Sequence, residues 1–269
     1  MQKQLSPEFR SKWLKMVPSR KKKNKKVGNW VYLHVYSQPD CMIVLKSFAL
    51  SLTLLFCASY TDRPAACDDE ISLEKAGLVD VKQVDPSLLV DLKYSTTDNF
   101  VHKDVYGCIT RCFLQKETAE KLKKAHEYLK KHHPELRLLV YDGVRSRKVQ
   151  WKLWEALPQY APKYRTNYVA HPTRGSIHNY GCAVDLTVAT ADGKALDMGT
   201  PFDFFGSEAY PRKEAEMLQQ GKITKTHVAN REILRQAMTA GGFMGITSEW
   251  WHFNAMSLAQ AKAKYTIVE

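Results

Sequence analysis

Ser176-Ile-His-Asn-Tyr-Gly-Cys-Ala-Val-Asp-Leu-Thr-Val188 begins polar and glycine-interrupted and ends as an apolar, β-rich run. Cys182 to Val188 reads as a strand, and Gly181 before it marks a sharp backbone turn. A turn feeding a strand can bring His178 and Asp185 to one point. Working outward, Ala119, Leu122, Ala125 and Leu129 recur at three and four residues with Lys and Glu between them, predicting an amphipathic helix from Lys116 to His133. Pro134 ends it, Leu136 to Tyr141 reads as a strand, and Asp142-Gly143 is a turn signal at its close. A second helix is expected over Arg147 to Leu157. A hairpin turn is expected at Asp192-Gly193, and a third helix over Asn230 to Ala240, stopped by Gly241-Gly242. Residues 68–93 read as a strand and loop leading into the domain. Separated helices and short strands without an internal repeat predict an α+β fold: one compact domain with a small, mainly antiparallel sheet flanked by helices.

A chain of 269 residues, 44% of them hydrophobic, can bury one core of about 200 residues. The formal charge of +12 is unevenly spread: through Lys46 there are 11 basic residues against 2 acidic ones, and beyond it 29 against 26. The excess centres on Lys21-Lys22-Lys23-Asn24-Lys25-Lys26, outside the expected domain, so no nucleic-acid partner is expected. Phe48 to Ser59 is apolar, preceded by Lys46 and followed by small and polar residues. It is short of the roughly 20 residues that span a bilayer and fits a signal segment whose n-region begins at Met42. The expected division is therefore a basic, disordered or non-native extension (1–41), a signal peptide (42–66) and a catalytic domain (68–269). Such a chain is exported and keeps no stable membrane anchor after cleavage. Four cysteines remain for an oxidising compartment: Cys67, Cys108, Cys112 and Cys182. Two readings stay open for Cys108 and Cys112, a bridge permitted by a turn at Gly107 or two free thiols in the core.

Catalytic zinc takes three protein ligands and an open position, and His with carboxylate is an established donor set. His178 and Asp185 supply two such donors, and Glu249-Trp-Trp-His252 supplies a third together with a candidate base. On a regular strand Glu249 and His252 would face opposite ways, so this reading requires a bend between them. Each residue alone has an ordinary structural role, as a surface acid or a core imidazole. Their pairing carries the chemistry.

The two elements, Ser-x-His-x-x-Gly-x-Ala-x-Asp and Glu-x-x-His, resemble the signatures of the D-alanyl-D-alanine dipeptidases, zinc enzymes related to D,D-carboxypeptidases. The resemblance runs from Asp91-Leu-Lys-Tyr-Ser-Thr-Thr-Asp-Asn-Phe100 through Tyr141-Asp-Gly-Val-Arg145 and Met198-Gly-Thr-Pro-Phe-Asp203 to Glu249-Trp-Trp-His-Phe253, roughly Val79 to Phe253. It implies one zinc ion per chain at the sheet, held by His178, Asp185 and His252, with Glu249 as general base and Arg145 stabilising the oxyanion. It also implies a substrate pocket containing Tyr94, Ser176 and Asp203, with Asp203 facing the free ammonium of the dipeptide. The implied reaction is hydrolysis of D-alanyl-D-alanine to two D-alanines in the bacterial periplasm, with oligomeric state left open. Val144-Arg145-Ser146 departs from the family's Tyr-Arg-Pro, and loss of a fixed proline φ predicts a looser hold on Arg145. A D,D-carboxypeptidase or endopeptidase acting on longer wall peptides is the alternative. A non-catalytic metal- or wall-binding module is the reading that an intact Glu249 argues against.

Overall fold

The computed structural model describes residues 67–269; the expected extension and signal peptide lie outside the described residues. Seven strands are β1 (Leu78–Asp80), β2 (Leu89–Val90), β3 (Phe113–Gln115), β4 (Leu136–Asp142), β5 (Ala183–Thr190), β6 (Met244–Gly245) and β7 (His252–Asn254). β1 and β3 form an antiparallel pair, and the others a sheet in the order β2-β4-β5-β7-β6, antiparallel except for β2 beside β4. The longer helices are α1 (Asp68–Lys75), α2 (Lys116–His132), α3 (Arg147–Glu155), α4 (Lys225–Ala240) and α5 (Leu258–Lys264). The fold is thus the α+β domain expected, with helices against a small, mainly antiparallel sheet.

Alternation divides the work of the two sheet faces. Leu138 and Val140 of β4, Val184, Leu186 and Val188 of β5 and Phe253 of β7 join Leu122, Leu129, Leu234 and Met238 of the helices in the main core. Each fully buried leucine here contributes about 1.5–3 kcal/mol. The opposite face of β5 carries Asp185 and Thr187, also buried, so the central strand is covered on both sides. That second cover is made of loops, and it is where polar side chains collect.

The segment expected as strand and loop does hold β1 and β2, but it opens with a helix over residues 68–75 that was not expected. Its Glu70 accepts hydrogen bonds from the backbone N–H groups of Thr110 (2.7 Å) and Arg111 (2.9 Å) and from Arg111 Nε (2.6 Å). Cys67, just before it, is disulfide-bonded to Cys108, while Cys112 is a free, buried thiol. The Cys108–Cys112 bridge does not form: its first cysteine is taken by a partner 41 residues upstream. Among the described residues no helix is long and apolar enough to cross a membrane.

A buried polar pair ties α2 to the turn before β2. The neutral His126 ring donates from Nδ1 to Asp85 Oδ2 (2.9 Å), while its buried Nε2 has no partner. Burial, only partly offset by Asp85, therefore holds this imidazole down at about 4. Burial would raise the Asp85 carboxyl, but Ser87, His126 and Lys130 together lower it to about 2. Both folded values lie below the unfolded ones, so both contributions are present at neutral pH and are lost on acidification. Thermal stability is expected to fall from about pH 6.5 to 4 as His126 protonates in the unfolded chain, and again below pH 4 through Asp85. Melting curves of the wild type and His126→Gln across this range test it; parallel pH profiles for the two proteins would refute it.

Candidate metal centre

The site begins with a fault in the β4 ladder. Val140 faces Leu186 of β5, but the next register pair is Asp142 with Asp185, leaving Tyr141 as a bulge. In an unbroken ladder Asp142 would sit opposite Val184, on the helix-covered face. The bulge turns it to the other face, and Asp185 is in turn paired with His252 of β7. Asp142, Asp185 and His252 so form one row across three adjacent strands.

His178 enters from the other side, on the 3₁₀ turn Ile177–Tyr180. Gly181 closes this turn in the left-handed region (φ 66°), where a Cβ would also meet Leu78 Cδ2 at 2.9 Å. Glycine is demanded both by conformation and by close approach. The Arg145 N–H donates to the His178 carbonyl (3.1 Å), Asn179 Nδ2 donates to the Arg145 carbonyl (2.6 Å), and the Val268 N–H donates to the Asn179 carbonyl (2.9 Å). The C-terminal segment thus braces the turn that presents His178.

Three donor atoms converge. His252 Nδ1 lies 2.9 Å from Asp185 Oδ1 and 3.1 Å from His178 Nε2, and His178 Nε2 lies 3.4 Å from Asp185 Oδ1. Ligands about 2.0–2.1 Å from a tetrahedral zinc would stand about 3.3 Å apart, so the spacing fits. The outer ring nitrogens are engaged, His178 Nδ1 with the Gly143 carbonyl (2.8 Å) and His252 Nε2 with Asn254 Oδ1 (2.8 Å). In a metal-holding state both rings would be neutral with the proton on that outer nitrogen, leaving both remaining lone pairs for the ion beside Asp185. Burial opposes charge here, yet the two imidazoles hold the Asp185 carboxyl far below its ordinary range, and Asp185 lifts His252 to about 9. Such a cluster demands positive charge at its centre, which a metal ion would supply. Among the described residues this is the one His, Cys, Asp or Glu trio close enough to hold one.

Arg145 lies beside this trio. Its Nε and Nη2 both donate to Asp142 Oδ2, Nη2 is 3.8 Å from Asp185 Oδ2, and the guanidinium stacks over the Tyr94 ring at 4.9 Å. Asp142 has no exposed surface and also accepts from the Tyr106 hydroxyl. Ser146, standing where the family has proline, caps α3 by accepting from the Val149 N–H (3.2 Å). The position thus orders the same junction by a hydrogen bond.

Glu249 precedes β7, and the chain bends at Trp250 and Trp251, providing the break that the Glu249/His252 pairing requires. Burial raises the Glu249 carboxyl above its ordinary value, with Asp185 adding to the shift and His252 opposing it. Asp203 sits on a loop at φ 59° and accepts from the Tyr94 hydroxyl (3.0 Å). Burial, with Asp185 nearby, pushes its carboxyl well up against the pull of Arg145 and Tyr94. The loop is pinned by Arg231, whose buried guanidinium donates to the carbonyls of Met198 (2.8 Å) and Glu208 (2.9 Å), and by Trp250 Nε1 donating to Thr200 (2.8 Å). Ser176 Oγ is buried without a hydrogen-bond partner.

All eight residues singled out in the sequence, Tyr94, Arg145, Ser176, His178, Asp185, Asp203, Glu249 and His252, line one cavity of about 280 Å³. Sequence reading missed Asp142, taken as half of a turn, and Tyr106 and Gln150, which hold Asp142 and Arg145 in place. Asp142 had a visible signal in its spacing from Arg145; Tyr106 had none. A separate cavity of about 350 Å³, lined by residues such as Tyr141, Pro201 and Trp250, contains none of the eight.

The sheet and its donor trio define a peptidase of the M15 type: the family model for Peptidase M15, described as D-ala-D-ala dipeptidase, matches residues 74–268. The chain belongs to this family, whose members are metalloenzymes. It is 37% identical to the D-alanyl-D-alanine dipeptidase of Escherichia coli (strain K12) over 176 residues, 65% of this chain and 83% of the relative. It is also 32% identical to the enzyme of that name from Enterococcus faecium over 177 residues, 61% and 83% of the two chains. A solved LD-carboxypeptidase covers 56% of this chain and 63% of its own at 19% identity and a TM-score of 0.35, too slight a likeness to bear on function.

Proposed function

We propose that this chain is a zinc peptidase that hydrolyses D-alanyl-D-alanine to two D-alanines in cell-wall peptide metabolism. The observation that carries the reading is the convergence of two imidazole lone pairs and a carboxylate in the cavity that also holds Glu249, Arg145 and Asp203. His178, Asp185 and His252 would hold a zinc ion, which would supply Lewis acidity toward the scissile carbonyl and lower the pKa of a nearby water. Glu249 takes the proton from the attacking water and delivers it to the leaving amine. Burial raises its carboxyl above the ordinary value, which favours acceptance of that proton. Arg145, fixed by Asp142, places a permanent cation where negative charge develops on the carbonyl oxygen. Asp203, oriented by Tyr94, meets the free ammonium of the substrate; the cation restores the ionised form that burial disfavours. Ser176 lines the same cavity and offers its hydroxyl to the substrate. We also propose export to the bacterial periplasm, supported by the Cys67–Cys108 disulfide, a bond that persists in oxidising compartments.

The test is D-alanine release from D-Ala-D-Ala beside L-Ala-L-Ala and a wall pentapeptide. Turnover of the D-dipeptide alone, abolished by a chelator and restored by zinc, is expected. Pentapeptide hydrolysis at a comparable rate would transfer the substrate to longer wall peptides. Bound zinc without turnover of any of the three would leave a binding module.

A further inference from the structure

Outward from the Tyr94–Asp203 pair, three segments distant in sequence meet through aromatic rings. Phe100 packs edge-on against Tyr94 with 6.4 Å between centroids and against Phe205 at 5.1 Å, and Phe205 packs against Tyr168 at 5.0 Å. Phe205 and Tyr168 line the catalytic cavity, and all three rings are half-buried. Each segment is pinned separately. The Asn99 amide donates to the carbonyls of Lys93, Thr96 and Lys103, fixing the loop of Phe100. Arg231 holds the loop of Phe205 through the Glu208 carbonyl, and Gln150 Nε2 donates to the Ala170 carbonyl (2.8 Å) beside Tyr168. Three independently anchored rings make a rigid wall, since no ring moves aside without breaking the contacts of another segment.

We infer that Phe205 and Tyr168, backed by Phe100, set the length limit of the substrate. A peptide continuing past the residue whose nitrogen meets Asp203 would have to displace them, so N-extended chains are rejected by ring packing in addition to the missing ammonium. This rests on the reading that Asp203 receives the substrate amine. None of the three rings is assigned a part in the bond-breaking step; their role is selection.

The experiment compares kcat/KM for tri-D-alanine with that for D-Ala-D-Ala in the zinc-loaded wild type, Phe205→Ala, Tyr168→Leu and Asp203→Asn, with melting curves to confirm that each folds. The ratio is expected to rise at least tenfold in Phe205→Ala and in Tyr168→Leu, the second variant standing if the first does not fold. A rise in Asp203→Asn with no change in either ring variant would overturn the inference, leaving charge recognition as the length filter. A wild type that cleaves tripeptide as fast as dipeptide would overturn it too. A wild type inactive on D-Ala-D-Ala would instead refute the function on which it rests.

Discussion

Glu249→Gln is expected to lower kcat for D-Ala-D-Ala by about 10²–10⁴-fold, the range lost when a positioned general base is removed. The amide keeps the shape of the side chain and can neither accept the water proton nor deliver one to the leaving amine. The donor trio His178, Asp185 and His252 is untouched, so zinc content should stay at one per chain and KM should change little. Stability should hold or rise, because burial already raises the Glu249 carboxyl and a neutral group there relieves that penalty. Single-turnover rates, metal analysis and melting curves separate these effects. A kcat within tenfold of wild type, with the metal bound, would remove Glu249 from the base role and shift the search to another carboxylate in the cavity.

Asp142→Ala should damage the protein as much through folding as through catalysis. Asp142 has no solvent exposure and receives two donors of Arg145 and the Tyr106 hydroxyl, and it lies 3.6 Å from His178 Nδ1. Removing it leaves the buried Arg145 guanidinium without its main counter-charge, a defect that costs about 3–5 kcal/mol. Among the described residues the freed guanidinium has one other carboxylate within 4.0 Å, Asp185 at 3.8 Å, which also belongs to the metal trio. Zinc affinity should therefore fall together with kcat. Asp142→Asn, which keeps the volume and one acceptor, should lie between wild type and the alanine variant in both. Urea midpoints and zinc titrations test this; an Asp142→Ala protein with wild-type stability would show that Arg145 is held by its backbone, Gln150 and Tyr94 without Asp142.

The helices around Leu122 and Leu234 and the strands β4 and β5 were legible because burial on one side imposes a period on the sequence, and that period survives in the residues themselves. α1 left no such trace. A single residue of it, Leu73, joins the main core; its other ties are polar and distant, through Glu70 and the neighbouring Cys67, and nothing in residues 68–75 points to partners at 108–111. The bulge at Tyr141 was invisible for a related reason: a strand with one extra residue has the same composition as a strand without it. Asp142-Gly143 was misread by the same logic, since the pair is a turn signal. Here the glycine serves close packing, a Cβ at Gly143 meeting Cys112 Sγ at 2.6 Å and the Phe113 carbonyl at 2.9 Å. The site residues were found through ordered motifs, whereas the contact of Tyr94 with Asp203, 109 residues away, belongs to the tertiary fold.

Asp142, Asp185 and His252 lie side by side on strands whose spacing the ladder fixes, while Asp203, Phe100, Phe205 and Tyr168 stand on loops held by individual hydrogen bonds. The strand-borne members of the donor set and the proposed selection wall are therefore inherited through different parts of the chain. Substitutions and insertions in those loops can alter which peptide is admitted while the donor row stays in register, so a lineage on this scaffold could change diet without reinventing its chemistry.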